Sequence, residues 1–99
     1  MARTKKGQAV HDKNVLREAN KLKRQGFDVE ADLPGFDKPS TLGGFTPDVV
    51  ARKGKQRKIV EVETPESVDS ARDKKQQQAF RQASKRSENT TFRRVITKK

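Results

Sequence analysis

Three carboxylates fall on one hairpin in the sequence. Asp48 follows Pro47, and after twelve further residues come Glu61 and Glu63. Successive strand residues face opposite sides of a sheet, so Glu61 and Glu63 share one face, and Asp48 on the preceding strand can lie beside them. Carboxylates this close repel one another, and a hard divalent ion such as Mg²⁺ or Mn²⁺ relieves the repulsion. The sequence therefore predicts a metal site formed by Asp48, Glu61 and Glu63.

A solvated sheet face is the alternative interpretation of the same pattern. Apolar and charged side chains alternate over residues 60–63, and antiparallel sheets commonly expose one face to water. Under this interpretation Glu61 and Glu63 are ordinary surface residues that bind no ion.

The charge balance indicates a polyanionic partner. The 99 residues carry a net charge of +11, and no segment has the wide apolar face that a membrane-surface helix needs. Nucleic acid is therefore the expected partner, and no membrane is expected. Two acidic segments, 25–51 and 59–70, each have a net charge of −4. Carboxylates do not help a protein to bind a polyanion, which favours a cation bound among them.

Composition excludes several other classes. The chain has no cysteine, so it has neither disulfides nor thiolate metal ligands. No apolar run approaches the roughly 20 residues of a membrane helix, and the basic residues 1–8 lack the apolar region of a secretory signal. We therefore expect a cytoplasmic location. With five Phe and no Tyr or Trp, recognition should depend on the nucleic-acid backbone and shape rather than on base stacking.

Hydrophobic periodicity and chain breakers predict the elements that must position the carboxylates. In chain order they are a helix over 10–25, a strand over 27–32, a loop over 33–45, a strand over 46–52, a polar turn over 53–57, a strand over 58–64, a helix over 68–86 capped by Ser67, and a strand over 90–97. This α-β-β-β-α-β order predicts an α/β protein with a mixed sheet flanked by helices, ending in a parallel pair. We expect a single domain over 10–97, a disordered basic arm over 1–9 and a tail over 98–99.

The pattern resembles the PD-(D/E)xK nuclease superfamily, which has the restriction-endonuclease-like fold. The match is Pro47-Asp48 followed by Glu61-Val62-Glu63, within a similar order of elements. Archaeal Holliday-junction resolvases of this superfamily often carry a glutamate on the first helix, where Glu18 stands here. Some nuclease families carry Gln-x-x-x-Tyr on the helix after the motif, and Gln76-x-x-x-Phe80 is similar.

One position departs from the superfamily pattern. Glu63 stands where the superfamily has a lysine that orients the attacking water and stabilises charge at the phosphorus. A minority of members have glutamate there and remain active, and the lysine can also migrate to another element. Lys75, near the apolar face of the second helix, is the predicted replacement, in preference to its neighbour Lys74.

The resemblance implies metal-dependent hydrolysis of DNA phosphodiester bonds. Asp48 and Glu61 would hold Mg²⁺ or Mn²⁺, Glu63 would be a further ligand or a general base, and Glu18 would join through water. Lys75 and Gln76 complete the predicted catalytic set. The residues predicted to contact the phosphate backbone are Arg52, Lys53, Lys55, Arg57, Arg72, Arg81, Lys85 and Arg86.

Two other functions and several single-residue interpretations remain open. The protein could be a non-catalytic DNA-binding module of the same fold, which Glu63 supports, or a structural RNA-binding protein, which composition alone supports. A homodimer is reasonable because cutting two strands requires two sites. Glu18 could instead pair with Lys21 or Lys23. His11, the lone histidine, is interpreted as a capping or exposed residue rather than a ligand.

Overall fold

The computed structural model describes residues 5–64 and 70–97. Its elements are α1 (Lys5–Arg24), β1 (Asp28–Ala31), β2 (Val49–Lys53), β3 (Gln56–Glu63), α2 (Ala71–Lys85) and β4 (Thr90–Ile96). The four strands form one sheet in the order β1-β2-β3-β4, in which β3 and β4 are parallel and the other pairs antiparallel. The predicted α/β class, element order and parallel final pair are confirmed.

Helix α1 packs on one face of the sheet and supplies the main core. Val15, Ala19 and Leu22 recur at helical spacing and are buried. They pack in one apolar cluster with alternate residues of β2 and β3, namely Val49, Ala51, Val60 and Val62. The helix begins at Lys5 rather than at residue 10, so residues 5–9 of the predicted basic arm are helical. Residues 1–4 lie outside the described residues.

Helix α2 covers the opposite face of the sheet. Phe80 is fully buried there, and its ring centroid lies 5.7 Å from that of Phe92 on β4. Ser70 caps the helix by accepting a hydrogen bond from the Asp73 backbone N–H. The predicted cap, Ser67, lies outside the described residues.

The hairpin turn is shorter than the predicted five residues. β2 runs to Lys53 and β3 begins at Gln56, which leaves only Gly54 and Lys55 between the strands. Gly54 has a φ of 58°, which glycine adopts without strain. The polar residues on both sides of the turn had suggested a longer loop, but they pair as the exposed end of the ladder.

The long segment between β1 and β2, residues 32–48, packs against α2. It contains an isolated bridge between Leu42 and Phe45, joined through Gly43 and Gly44. A Cβ added at Gly43 would lie 2.8 Å from the Cβ of Ala79 on α2. The segment therefore touches α2 at a position where only glycine leaves enough room.

Candidate functional site

The register of β2 and β3 sets Asp48 beside Glu61. Val49 is opposite Val60, so the ladder continued by one residue brings Asp48 opposite Glu61. Asp48 Oδ2 accepts a 2.8 Å hydrogen bond from the Val62 backbone N–H, and Glu61 Oε1 accepts a 3.0 Å bond from the Asp48 backbone N–H. These crossed bonds hold both side chains at the end of the hairpin.

The three hairpin carboxylates are buried at the base of a cleft. Asp48, Glu61 and Glu63 are 8%, 3% and 2% exposed, so they do not form a solvated sheet face. They line a cleft of about 690 Å³ together with side chains of α1 and of the first turns of α2. A protein buries carboxylates at considerable cost unless a partner or an ion compensates the charge.

Asp48 and Glu61 titrate in opposite directions. Burial, followed by the charge of Asp48, raises the pKa of Glu61 to about 10. Burial acts to raise the pKa of Asp48 too, but hydrogen bonds with His11 and Glu61 and the charge of His11 outweigh it, so that this pKa lies below its usual value. Near neutral pH the pair therefore carries one negative charge and one proton.

His11 belongs to this cleft, and its interpretation as a capping or exposed residue is wrong. Its Nε2 lies 3.2 Å from Asp48 Oδ1 and its Nδ1 lies 3.0 Å from Asp12 Oδ1. Because α1 begins at Lys5, His11 is in its second turn and is only 6% exposed. The spacing of the helix residues does indicate this position. His11 precedes the buried Val15 by four residues, so both side chains lie on the same face of α1.

The second helix contributes a neutral donor and a cation to the cleft. Gln76 Nε2 donates a 3.4 Å hydrogen bond to Glu61 Oε2. Arg72 also lines the cleft. The structure thus places Gln76 against Glu61 and Arg72 in the lining of the same cleft.

Glu18 and Lys75 lie away from these carboxylates. Glu18 forms an ion pair with Arg93, on the face of the sheet that α1 covers, rather than with Lys21 or Lys23. Lys75 is exposed and lines a separate cleft with residues of the long β1–β2 segment. The sequence could not show that Glu18 and Lys75 lie outside the cleft, because the position of each side chain depends on how its helix packs on the sheet.

Arg94 is the cation nearest to Glu61 in the sheet register. It stands opposite Glu61 on β4, and its Nη2 lies 3.1 Å from Asp73 Oδ2. Asp73 lines the main cleft. No lysine lines that cleft among the residues that the structure describes.

The predicted nucleic-acid-binding residues divide into two groups. On the hairpin, Arg52 pairs with Glu30 at 2.7 Å and Lys53 donates to the Gln25 carbonyl at 3.0 Å, while Lys55 and Arg57 lie at the turn and next to it. Along β3 this end is about 17 Å from Glu61. The other group is on or next to α2. Its members are Arg72 at the main cleft, Arg81 and Lys85 in a second cleft with Phe92 and Arg94, and the exposed Arg86.

The cleft fits a divalent cation by the chemistry of its donors. Among the described residues, no three His, Asp or Glu side chains already converge as a preformed ion site. The donors present are nevertheless the oxygen-rich set that suits a hard ion. Burial and the neighbouring charge of Asp48 keep a proton on Glu61, and a bound cation would favour the ionised carboxylate instead.

A mixed sheet between two helices, with an aspartate and a glutamate on paired strands at the base of a cleft, is typical of the restriction-endonuclease-like class. The family model described as REase_AHJR-like matches residues 3–98, and the chain belongs to this restriction-endonuclease-like family. No curated protein and no solved structure is significantly similar to it. Within the described ranges, no helix is long and apolar enough to cross a membrane.

Proposed function

We propose that the protein is a metal-dependent nuclease that hydrolyses DNA phosphodiester bonds. The observation that carries the proposal is the buried Asp48–Glu61 pair at the base of an open cleft, where burial and mutual repulsion raise the pKa of Glu61 to about 10. The family match supports a nuclease-type function, and restriction-endonuclease-like families usually use divalent metals.

The residues of the cleft have distinct roles in this proposal. Asp48 and Glu61 hold Mg²⁺ or Mn²⁺, and Gln76 orients Glu61 through its hydrogen bond to Oε2. The bound ion supplies polarisation of the scissile phosphate and a lowered pKa for the attacking water. Glu63, in the position of the superfamily lysine, acts as a further ligand or as the general base that accepts the proton of that water.

DNA reaches the cleft along α2 in this proposal. Arg72 lies at the cleft, and Arg81 and Lys85 follow on the same helix. Contacts from such side chains to phosphate oxygens position a duplex without reading its sequence. The sequence pattern resembles that of archaeal Holliday-junction resolvases, so a four-way junction is the first substrate to test, and a homodimer would present two clefts to its strands.

The test is a cleavage assay on supercoiled plasmid, single-stranded DNA and four-way junctions with Mg²⁺ or Mn²⁺. We expect Asp48→Asn and Glu61→Gln to lose activity by about 100-fold or more, since even indirect disturbance of a metal ligand costs about 10–100-fold. Asp28→Asn, at an exposed position on β1, is the matched control and should cleave normally. Equal cleavage by all four proteins, or none by the wild type, contradicts the proposal.

A non-catalytic DNA-binding module is the second candidate. It is favoured by Glu63 in the lysine position and by the lack of a lysine lining the cleft among the described residues. Fluorescence anisotropy with labelled DNA, with and without a chelator, separates the two functions. Tight, salt-sensitive binding that needs no divalent ion, together with no cleavage, supports the module, and an RNA competitor of equal length shows which nucleic acid is preferred.

A further inference from the structure

We propose that His11 is a further metal ligand in this cleft, and that its imidazole makes the site prefer transition-metal ions such as Mn²⁺ and Co²⁺ to Mg²⁺. The proposal rests on the function proposed above, because it concerns the same ion. It assigns to α1 a direct ligand, whereas the family resemblance implied that Glu18 on the same helix would join the ion through water. Glu18 instead pairs with Arg93 across the sheet from the cleft.

The position of His11 is that of a neighbouring ligand. Its Nε2 lies 3.2 Å from Asp48 Oδ1. Two ligands on adjacent corners of an octahedron with bonds of about 2.1 Å are about 3 Å apart. His11 also lines the same cleft as Asp48 and Glu61 and is only 6% exposed, so α1 holds the imidazole where an ion on Asp48 would meet it. Binding of that ion would release the Nε2 proton to solvent, because only the neutral imidazole is a ligand.

The other ring nitrogen of His11 has the partner that metal-bound histidines usually have. Nδ1 lies 3.0 Å from Asp12 Oδ1, and the same oxygen accepts a 2.8 Å hydrogen bond from Gln8 Nε2. A carboxylate on the second nitrogen fixes the orientation of the ring and raises the basicity of the ligand. The chain of contacts from Gln8 through Asp12 turns Nε2 of His11 towards Asp48.

The preference for the ion follows from the donor atoms. Mg²⁺ prefers oxygen ligands and loses water reluctantly, whereas an imidazole nitrogen suits transition metals. A site built only from Asp48, Glu61 and Glu63 would favour Mg²⁺ or Mn²⁺ on the hardness of oxygen. Adding His11 shifts that site towards the softer ions.

The test compares the binding of Mn²⁺, Co²⁺ and Mg²⁺ by calorimetry in the wild type and in His11→Gln. We expect His11→Gln to weaken Mn²⁺ and Co²⁺ binding by about 10–100-fold, with a smaller effect on Mg²⁺. Asp12→Asn should weaken Mn²⁺ by an intermediate factor, because it leaves the ligand in place but loosens its orientation. Asp28→Asn is again the matched control.

A second measurement needs no variant. The chain has a single histidine, so nitrogen NMR of the imidazole ring gives one unambiguous pair of signals. Addition of Zn²⁺ as a diamagnetic probe should shift the Nε2 signal strongly and the Nδ1 signal much less.

The calorimetric comparison needs a folding control. Circular dichroism of His11→Gln shows whether that variant is folded.

The outcomes separate this inference from the proposed function. Unchanged Mn²⁺ affinity in His11→Gln and an unshifted Nε2 signal, with binding lost in Asp48→Asn, would mean that His11 only hydrogen-bonds Asp48. That result overturns the inference and leaves the proposed function intact. Metal binding that is unaffected in Asp48→Asn and Glu61→Gln overturns both.

Discussion

Asp48 and Glu61 are neighbouring carboxylates with opposite protonation, and this difference makes stability depend on pH. The unfolded chain releases the Glu61 proton near pH 4.5, whereas the folded protein keeps it to about pH 10. Between these values the folded state binds more protons, so rising pH favours unfolding. The contribution of Glu61 is complete below about pH 4.5 and is lost towards pH 10. Asp48 acts in the opposite sense, because its lowered pKa stabilises the fold above its ordinary value of 3.8.

The Glu61→Gln variant should be more stable than the wild type at pH 8. Glutamine has the shape of the protonated glutamate side chain and cannot ionise. The loss of folding stability that Glu61 causes as the pH rises is therefore absent from the variant. We expect the free energy of unfolding at pH 8 to rise by at least about 1.4 kcal/mol, the equivalent of one pKa unit. Urea denaturation between pH 5 and pH 9 measures it. If the free energy of unfolding of Glu61→Gln falls with pH as steeply as that of the wild type, the assignment of the proton to Glu61 is contradicted.

At the scale of elements, the first turn of α2 is held to the sheet by an ion pair in which the aspartate is buried and the arginine is partly buried. The side chains of Asp73 and Arg94 are 1% and 21% exposed, and their charged atoms lie 3.1 Å apart. Gln77 Nε2 donates to the same Asp73 oxygen at 3.0 Å. Because Arg94 stands opposite Glu61 on β4, this pair joins the helix that carries Gln76 and Arg72 to the sheet beside Glu61.

The Arg94→Met variant should be strongly destabilised. It leaves the buried Asp73 carboxylate without its cation, and the loss should approach the roughly 3–5 kcal/mol that removal of one partner costs in a fully buried pair. Arg52→Met is the matched control, because it breaks the Arg52–Glu30 pair, in which the side chains are 46% and 30% exposed. Exposed pairs contribute about 0–1 kcal/mol. Similar losses in the two variants, measured by urea denaturation, would contradict an anchoring role for Arg94.

At the scale of the whole molecule, the basic residues are concentrated in segments 1–24, 52–58 and 71–99, which have net charges of +6, +5 and +8. The predicted nucleic-acid-binding residues belong to the last two segments. Two of the hairpin cations already have partners, since Arg52 pairs with Glu30 and Lys53 donates a hydrogen bond to the Gln25 carbonyl. The α2 cations lie nearer to the cleft carboxylates. The α2 side of the molecule is therefore the better candidate for the DNA-facing surface.

DNA binding should lose one phosphate contact when Arg81 is replaced by glutamine. The logarithm of affinity falls linearly with the logarithm of salt concentration, and each phosphate contact adds about 0.9 to the slope. We expect Arg81→Gln to reduce the slope by about 1, and Arg52→Gln to change it much less because Glu30 already holds that guanidinium. Anisotropy titrations from 50 to 200 mM salt measure both. A larger reduction of the slope in Arg52→Gln than in Arg81→Gln would instead indicate that the DNA binds at the hairpin.

The sequence alone determined the order of the elements and the meeting of Asp48 with Glu61. Both depend on local information, because apolar periodicity defines each element and a short turn leaves two strands only one register that buries their apolar faces. The family motif lies in this local part of the chain. The class of fold and the hairpin half of the site could therefore be predicted.

Only the tertiary structure decided which helix residues join the hairpin. Glu18 and His11 both belong to α1, yet Glu18 meets Arg93 on one face of the sheet, while His11 reaches Asp48 at the start of the inner strand β2. Periodicity gives the buried side of a helix, but the atoms that a side chain meets depend on long-range packing of that helix on the sheet. Burial of Asp48, Glu61 and Glu63 has the same origin, because α1 and α2 close over the hairpin from opposite sides.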